Sequence, residues 1–182
     1  QKFYYLHLEL IEPHTLSFQS GQYVILIVPG TDQKKSYSIA SPPSLDHAIE
    51  LLIDITPQGK GTRYLVGLKP GDPVSFLAPA GIFHVEPQDT ELGKQEKALV
   101  FVATGSGISA LHSMILDQLQ NKKDARQIVL YWGLRYTADA FWTQEFQELE
   151  KTFPNFSLHL VFSQAGDEWT LCRGRVTDCL SI

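Results

Sequence analysis

The sequence predicts two domains, a small antiparallel β-barrel followed by an α/β domain built on a parallel sheet. Three observations predict it. In the first half, short stretches of alternating polar and apolar residues are separated by Gly, Pro and Asp turns, the period and punctuation of half-buried antiparallel strands. From Ala98 onward, continuous apolar runs alternate with segments of helical periodicity, as expected of strands buried on both faces and covered by helices. Between them, Glu86 to Lys97 is polar and charged, carries Pro87 and Gly93, and reads as a linker. The expected domains are therefore residues 1–92 and 98–182. A chain of 182 residues and 20.4 kDa has room for two modest cores.

Taken in order, Lys2 to Leu10 places Phe3, Tyr5, His7 and Glu9 on one face and Tyr4, Leu6, Leu8 and Leu10 on the other. Further strands are expected at Tyr23 to Val28, Lys35 to Ala40, Ile49 to Ile55 and Pro73 to Leu77. The turns between them are of the type Gln19-Ser20-Gly21-Gln22 and Lys69-Pro70-Gly71-Asp72. One helix interrupts the strands: Gly61-Thr62 offers a cap, and Tyr64, Leu65 and Leu68 follow at helical spacing until Pro70. The second half reads as strand Ala98 to Ala103, helix Ile108 to Leu119, strand Gln127 to Trp132, helix Phe141 to Phe153 and strand Ser157 to Phe162. The aromatic stripe Phe141, Trp142, Phe146 and Phe153 is read as core.

Composition removes several classes of function. Fifteen Lys+Arg against 20 Asp+Glu give a net charge of -5, and the lack of any long basic run argues against a nucleic-acid partner. No apolar stretch approaches the roughly 20 residues of a membrane span, so a cytoplasmic protein is expected. Cys172 and Cys179 fit no zinc spacing and cannot supply four thiolates, so they are read as reduced thiols. The six histidines are scattered without metal-binding spacing. The first residue is Gln, and the chain opens directly on a strand, so part of the natural N-terminus is expected to precede it.

Three motifs carry chemistry. Thr104-Gly105-Ser106-Gly107 lies where an apolar strand gives way to a helix, a place where backbone N–H groups and the helix start favour a pyrophosphate; the alternative is a tight turn without ligand. The next strand ends Tyr131-Trp132-Gly133-Leu134-Arg135, without the acidic residue of a standard dinucleotide fold. Ser106 does not fit a hydrolase nucleophile, because both immediate neighbours are glycines. Lys35-Ser36-Tyr37-Ser38 ends a strand whose alternation sends Lys35 and Tyr37 to one face and Ser36 and Ser38 to the other, a stacking surface with a phosphate partner or an ordinary surface strand. Gly59-Lys60-Gly61-Thr62 opens the helix of the first domain, a second phosphate site or a plain capped turn.

In this order and spacing the motifs resemble the ferredoxin-NADP reductase superfamily, closest to bacterial NAD(P)H:flavin reductases and the flavin reductases of oxygenase and deoxysugar systems. Ser20 to Val24 resembles the family's Gly-Gln-Tyr strand, Lys35 to Ser38 its Arg-x-Tyr-Ser motif, and Pro79 to Phe83 its Gly-Pro-x-Gly-x-Phe turn. Thr104 to Ala110 resembles its nicotinamide-nucleotide loop, and Gly174 to Asp178 also finds a counterpart. The resemblance implies a two-domain reductase fold, with an FAD-binding β-barrel and a nucleotide-binding α/β domain. It implies transfer of a hydride from NAD(P)H to FAD and of electrons to a separate acceptor, a protein or free flavin. By resemblance Tyr37 packs on the flavin ring, Ser38 hydrogen-bonds near its reactive nitrogen as the catalytic residue, and Lys35, Ser36, Gly59, Lys60, Gly61 and Thr62 hold the flavin. Thr104, Gly105, Ser106 and Gly107 face the pyrophosphate of the nicotinamide nucleotide, and Arg135 and Ser163 its adenosine half.

Two positions depart from the family pattern. Lys35 stands where Arg is usual, which keeps the charge and loses the bidentate fork, and Ala110 replaces a proline. The resemblance also implies one more strand before Gln1 and, after Ile182, a Cys-Gly-Pro motif and a C-terminal aromatic; none of these is among the 182 residues. The rival reading is a non-catalytic module that keeps the fold and binds a nucleotide or a partner.

Overall fold

The alternation read in the first half becomes strand register in a computed structural model that describes residues 2–180. Strand β1 (Phe3–Glu9) pairs antiparallel with β4 (Ala48–Asp54), so that Tyr4, Leu6 and Leu8 stand opposite Ile53, Leu51 and Ile49. Strand β2 (Tyr23–Ile27) runs between β3 (Lys34–Ser38) and β5 (Phe76–Ala80), antiparallel to both. Inward side chains from the two sheets, among them Val24, Leu26, Ile49, Leu51 and Ile53, meet Leu65 of helix α1 (Lys60–Gly67) in one apolar core. Burying such side chains stabilises the fold by about 1.5 to 3 kcal/mol each.

Three expectations for this half are corrected. The sheets touch through an Ile39–Leu51 bridge, and no closed barrel forms among the described residues. Closure would need paired edges, whereas β5 carries Pro79, which has no N–H to donate and suits an edge strand. The same strand begins at Phe76 rather than Pro73, and its register with β2 shifts between Tyr23 and Ile25. Helix α1 starts at Lys60, with Gly59 at its cap position and no side-chain cap, so Thr62 lies in its first turn instead.

The second half builds a parallel sheet in the order β6 (Ala98–Thr104), β7 (Gln127–Leu134), β8 (Phe156–Phe162). A single turn at Gly105–Gly107 joins β6 to helix α2 (Ile108–Leu116), which runs on through a wider turn at Asp117–Asn121. The chain divides into two compact units: residues up to Val85 with Ser109–Asp117, and Glu86–Ile108 with the residues from Gln118 onward. Within the first unit α2 is held by hydrogen bonds, from Ser113 Oγ to the Ser41 carbonyl at 2.7 Å and from Ser20 Oγ to Asp117 at 2.8 Å. Helix α3 (Thr143–Thr152) buries Phe146, whose ring meets Trp132 and Phe156 edge-on or tilted.

Three expectations for the second half also change. Strand β6 is not buried on both faces: Val100 and Val102 are 47 % and 43 % exposed, because they point away from the face that Phe101 and Ala103 bury. Of the aromatic stripe only Phe146 is core, while Phe141, Trp142 and Phe153 line an open groove along α3. Cys172 and Cys179 are not reduced thiols but a disulfide, their Cα atoms 6.1 Å apart. The chain after β8 folds back so that Arg173 bridges to Phe162, and a 3-10 turn at Val176–Cys179 then returns the second sulfur to the first.

The segment read as a linker is pinned to the second unit. The Arg126 guanidinium, 2 % exposed, grips Asp124, donates to Glu96 at 2.6 Å and to the Glu86 carbonyl at 3.1 Å. Burial pushes the Asp124 carboxyl up, but the hydrogen bonds and charge of Arg126, with Lys122, outweigh it and hold the group below the ordinary carboxylate value. A depressed folded pKa gives stability that is complete above the unfolded value and is lost as pH falls through the folded one. Asp124→Ala leaves the buried guanidinium with only Glu96 and the Glu86 carbonyl and is expected to cost about 3 kcal/mol, read by urea unfolding at neutral pH. The difference from wild type should shrink below about pH 4, where the unfolded carboxylate protonates; an equal loss at all pH values contradicts this assignment.

Candidate functional site

The first part of the site is set by which way β3 faces. Its pairing places Lys35 opposite Leu26 and Tyr37 opposite Val24, the inward residues of β2, while Ser36 and Ser38 stand opposite Ile25 and Tyr23 on the other face. The first turn of α1 packs against the Lys35 and Tyr37 side. Gly61 is buried there, and a Cβ on it would lie 2.9 Å from Lys35 Cγ and 2.9 Å from the Tyr37 hydroxyl. Only glycine allows that approach. Burial pushes the Tyr37 phenol up, and a hydrogen bond with the Thr62 side chain partly opposes it. The second and third sequence motifs therefore form one constellation: Lys35, Tyr37, Gly61 and Thr62, with Gly59 and Lys60 exposed just ahead.

Its chemistry suits an aromatic ring that carries phosphate. The first turn of a helix leaves backbone N–H groups without intrahelical acceptors, and α1 has no acidic residue there to compete for them. Lys35, Lys60 and Arg63 add positive charge nearby in sequence and fold. Ser38 is half-buried at the end of β3, and Ser36 is exposed on the face away from Gly61.

The second part lies at the carboxyl ends of the parallel strands, where open α/β sheets bind their ligands. Thr104 is the last residue of β6 and stands beside Gly133 of β7, which stands beside Val161 of β8. Gly105 has φ +52°, and a Cβ on Gly105 or Gly107 would meet nothing within 4 Å, so the turn is open on its outer side. From behind, the Trp132 indole N–H donates to the Gly105 carbonyl at 3.1 Å. Arg135 and Ser163 are exposed just beyond β7 and β8 and are held side by side, since Ser163 N donates to the Leu134 carbonyl and Gln164 N to that of Arg135. Thr104, Gly105, Ser106, Gly107, Arg135 and Ser163 thus lie at the carboxyl ends of the same three parallel strands.

Trp132 and Gly133 were not expected in this role. Trp132 is fully buried and fixes the glycine turn, while Gly133 admits Val176, whose Cβ would lie 3.0 Å from a Cβ on that glycine. The signal was the Trp-Gly pair at the end of an apolar strand. No cluster of three or more His, Cys, Asp or Glu able to hold a metal occurs among the described residues.

The constellation in the first unit and the glycine turn at a parallel sheet edge in the second are each suited to a phosphate-bearing nucleotide. Residues 2–85 match the oxidoreductase FAD-binding domain family and residues 101–181 the oxidoreductase NAD-binding domain family. Residues 2–85 and 101–181 thus belong to these two domain families, in that order along the chain. It is 39 % identical over 176 residues to the reductase component DmpP of phenol 2-monooxygenase from Pseudomonas sp. strain CF600, covering 95 % of this chain and 47 % of that protein. The phenol hydroxylase P5 protein of Acinetobacter pittii is 33 % identical over 97 % of this chain and 48 % of its own. The crystal structure of the Amycolatopsis cytochrome P450 reductase GcoB superposes with TM-score 0.84 at 30 % identity, over 98 % of this chain and 52 % of that one. The chain spans about half the length of the curated relatives it matches.

Gly61→Ala tests the constellation. The added methyl must displace Lys35 and Tyr37 by several tenths of an ångström. Alanine is favoured over glycine within a helix by about 1 kcal/mol, which offsets the local strain. The thermal midpoint is therefore expected to stay near wild type while FAD affinity falls about tenfold, roughly 1.4 kcal/mol. Titration of apo-protein with FAD beside a thermal melt reads both; unchanged affinity contradicts the placement.

Proposed function

We propose that this chain is the flavin and nicotinamide-binding portion of an NAD(P)H-dependent flavoprotein reductase, which passes a hydride from NAD(P)H to bound FAD and electrons on to a separate acceptor, a protein or free flavin. The observation that carries the reading is the junction of Lys35 and Tyr37 with the first turn of α1 at Gly61. When bound, FAD accepts a two-electron hydride and releases single electrons, chemistry that no side chain supplies. Residues 1–92 hold the flavin: Tyr37 stacks on its ring, Lys35 and the N–H groups at Gly61 and Thr62 meet its phosphates, with Gly59 and Lys60 alongside. Ser38 donates a hydrogen bond beside the reacting nitrogen, and Ser36 supports the same strand. Residues 98–182 hold the coenzyme, with Thr104 to Gly107 at the pyrophosphate and Arg135 and Ser163 at the adenosine half. We place the protein in the cytoplasm; no helix among the described residues is long and apolar enough to cross a membrane.

One absorbance experiment tests this. Full-length protein is expected to take up FAD in preference to FMN, because two phosphate groups match the lysine and the helix start together, and NADH is expected to bleach the bound flavin. Uptake without bleaching would favour the non-catalytic module, and no uptake of either flavin overturns the reading.

The coenzyme is expected to be NADH at least as readily as NADPH. A 2'-phosphate needs a cation beside Ser163, and the next residue is neutral Gln164, with Asp167 and Glu168 close behind. Arg173 is already engaged, its guanidinium donating to the Gly166 carbonyl at 2.8 Å and to that of Trp169 at 2.7 Å. Gln164→Arg is expected to raise the NADPH to NADH ratio of kcat/KM about tenfold, equivalent to about 1.4 kcal/mol. A wild-type enzyme that strongly prefers NADPH contradicts the argument.

A further inference from the structure

Beyond β8 the chain leaves the sheet, loops through residues 163–171, and returns beside its own exit. None of residues 163–175 is buried. The loop holds itself by surface contacts: Trp169 stands edge-on to Phe162, its indole N–H donates to the Cys172 carbonyl, and Arg173 spans to Gly166 and Trp169. Ser163 and Gln164 are tied to Leu134 and Arg135, and beyond them the loop meets β8 through the Trp169–Phe162 ring contact and two backbone bonds, from Phe162 N to the Cys172 carbonyl at 3.5 Å and from Gly174 N to the Phe162 carbonyl at 3.2 Å. Segments with few buried contacts and exposed hydrogen bonds lie at the low-stability end of a fold.

The following turn is anchored differently. Val176 is buried against Tyr131 and Val161 and reaches Gly133 at the carboxyl end of β7, with Cys179 and Leu180 packed around it. Beside the backbone itself, the Cys172–Cys179 disulfide is a second covalent link between this anchored turn and the surface loop. Cys172 is exposed and Cys179 half-buried, so the pair is within reach of an external thiol. The loop it ties down begins at Ser163 and carries Gln164, Asp167 and Glu168.

We propose that Cys172 and Cys179 form a thiol–disulfide switch that sets the affinity of the reductase for its nicotinamide coenzyme by fixing or releasing the 163–175 loop. This rests on the reading that the adenosine half of the coenzyme lies at Arg135 and Ser163. In the oxidised form the loop is stapled to the turn under β7, and the edge beside Ser163 is preformed. On reduction, the thiolate of a dithiol attacks one sulfur of the pair, forming a mixed disulfide and releasing the other cysteine, which takes up a proton. The second thiol of the reductant then displaces the remaining cysteine. Two electrons and two protons have passed to Cys172 and Cys179, and the dithiol has become a disulfide. The freed loop must be ordered each time the coenzyme binds, which weakens binding without touching the hydride-transfer step. In a reducing compartment such an exposed pair cycles with the thiol pool rather than standing as a fixed brace.

The test uses full-length protein, oxidised or treated with dithiothreitol, and the Cys172→Ser/Cys179→Ser double variant. Reduction is expected to expose two thiols to alkylation and to speed tryptic cleavage after Arg173 and Arg175. It is also expected to raise KM for NADH about fivefold, the low end of ordinary couplings, with kcat retained. Reoxidation reverses all three, and the double variant behaves as the reduced form with no response to dithiothreitol. A KM that is the same in oxidised, reduced and variant protein overturns the switch, as does an oxidised protein with both thiols free. Arg135→Ala separates the two readings: if it raises KM while reduction does not, the coenzyme site stands and the switch falls, and if neither moves KM, both fall.

Discussion

The flavin half of this chain depends on one close approach, that of the α1 backbone at Gly61 to the side chains of Lys35 and Tyr37. A helix start brings phosphate-binding N–H groups only to its own first turn. An aromatic side chain offers a stacking face only where its strand points it. Here the two are joined because one residue lacks a Cβ, and because the core beneath them fixes both: Leu65 of α1 and Val24 and Leu26 of β2 share one apolar cluster. Both elements that carry the constellation rest on that one core, which is what precise positioning of a cofactor requires.

The coenzyme half solves the same problem with a sheet edge. Parallel strands end together, so the residues after β6, β7 and β8 are neighbours in space although each is some 30 residues from the next. The turn after β6 has to keep its outer side clear, which Gly105 and Gly107 do, and has to be held from the inner side, which the Trp132 indole does. A buried Trp hydrogen-bonded to a backbone carbonyl is a stiff support, because moving the turn would leave an N–H without a partner in an apolar core.

Much of this was legible in the sequence. Alternation separated the two faces of β1, and the split between Lys35 with Tyr37 and Ser36 with Ser38 followed from the same period. Strand β5 was misplaced by three residues, since the sequence gives no cue that Pro79 sits harmlessly at an edge while Pro73 stays in the turn. The exposed face of β6 was invisible for a related reason: Val100 and Val102 are as apolar as Phe101 and Ala103, and composition records what a residue prefers, not what covers it. The meeting of Lys35 with Gly61 links segments 26 residues apart, and spacing alone carries no such contact. The disulfide was hidden for the same reason. It forms only because Arg173 returns to the side of Phe162 before the 3-10 turn reverses the chain.

The loop after β8 shows how one exposed segment carries charge and order at once. Its acidic residues, Asp167 and Glu168, repel a phosphate, and the Arg173 guanidinium is engaged by the loop's own carbonyls, which biases this stretch against a 2'-phosphate. That bias acts only while the loop is held in place, because charges on a mobile, solvated segment are screened within about 8 Å at physiological salt. Beside its backbone bonds and the Trp169–Phe162 ring contact, the cross-link to the buried Val176 turn is, on the proposed reading, the further restraint that keeps these charges in place. On the proposed reading, coenzyme choice and thiol state are then properties of the same dozen residues, and a change in either is felt through the other.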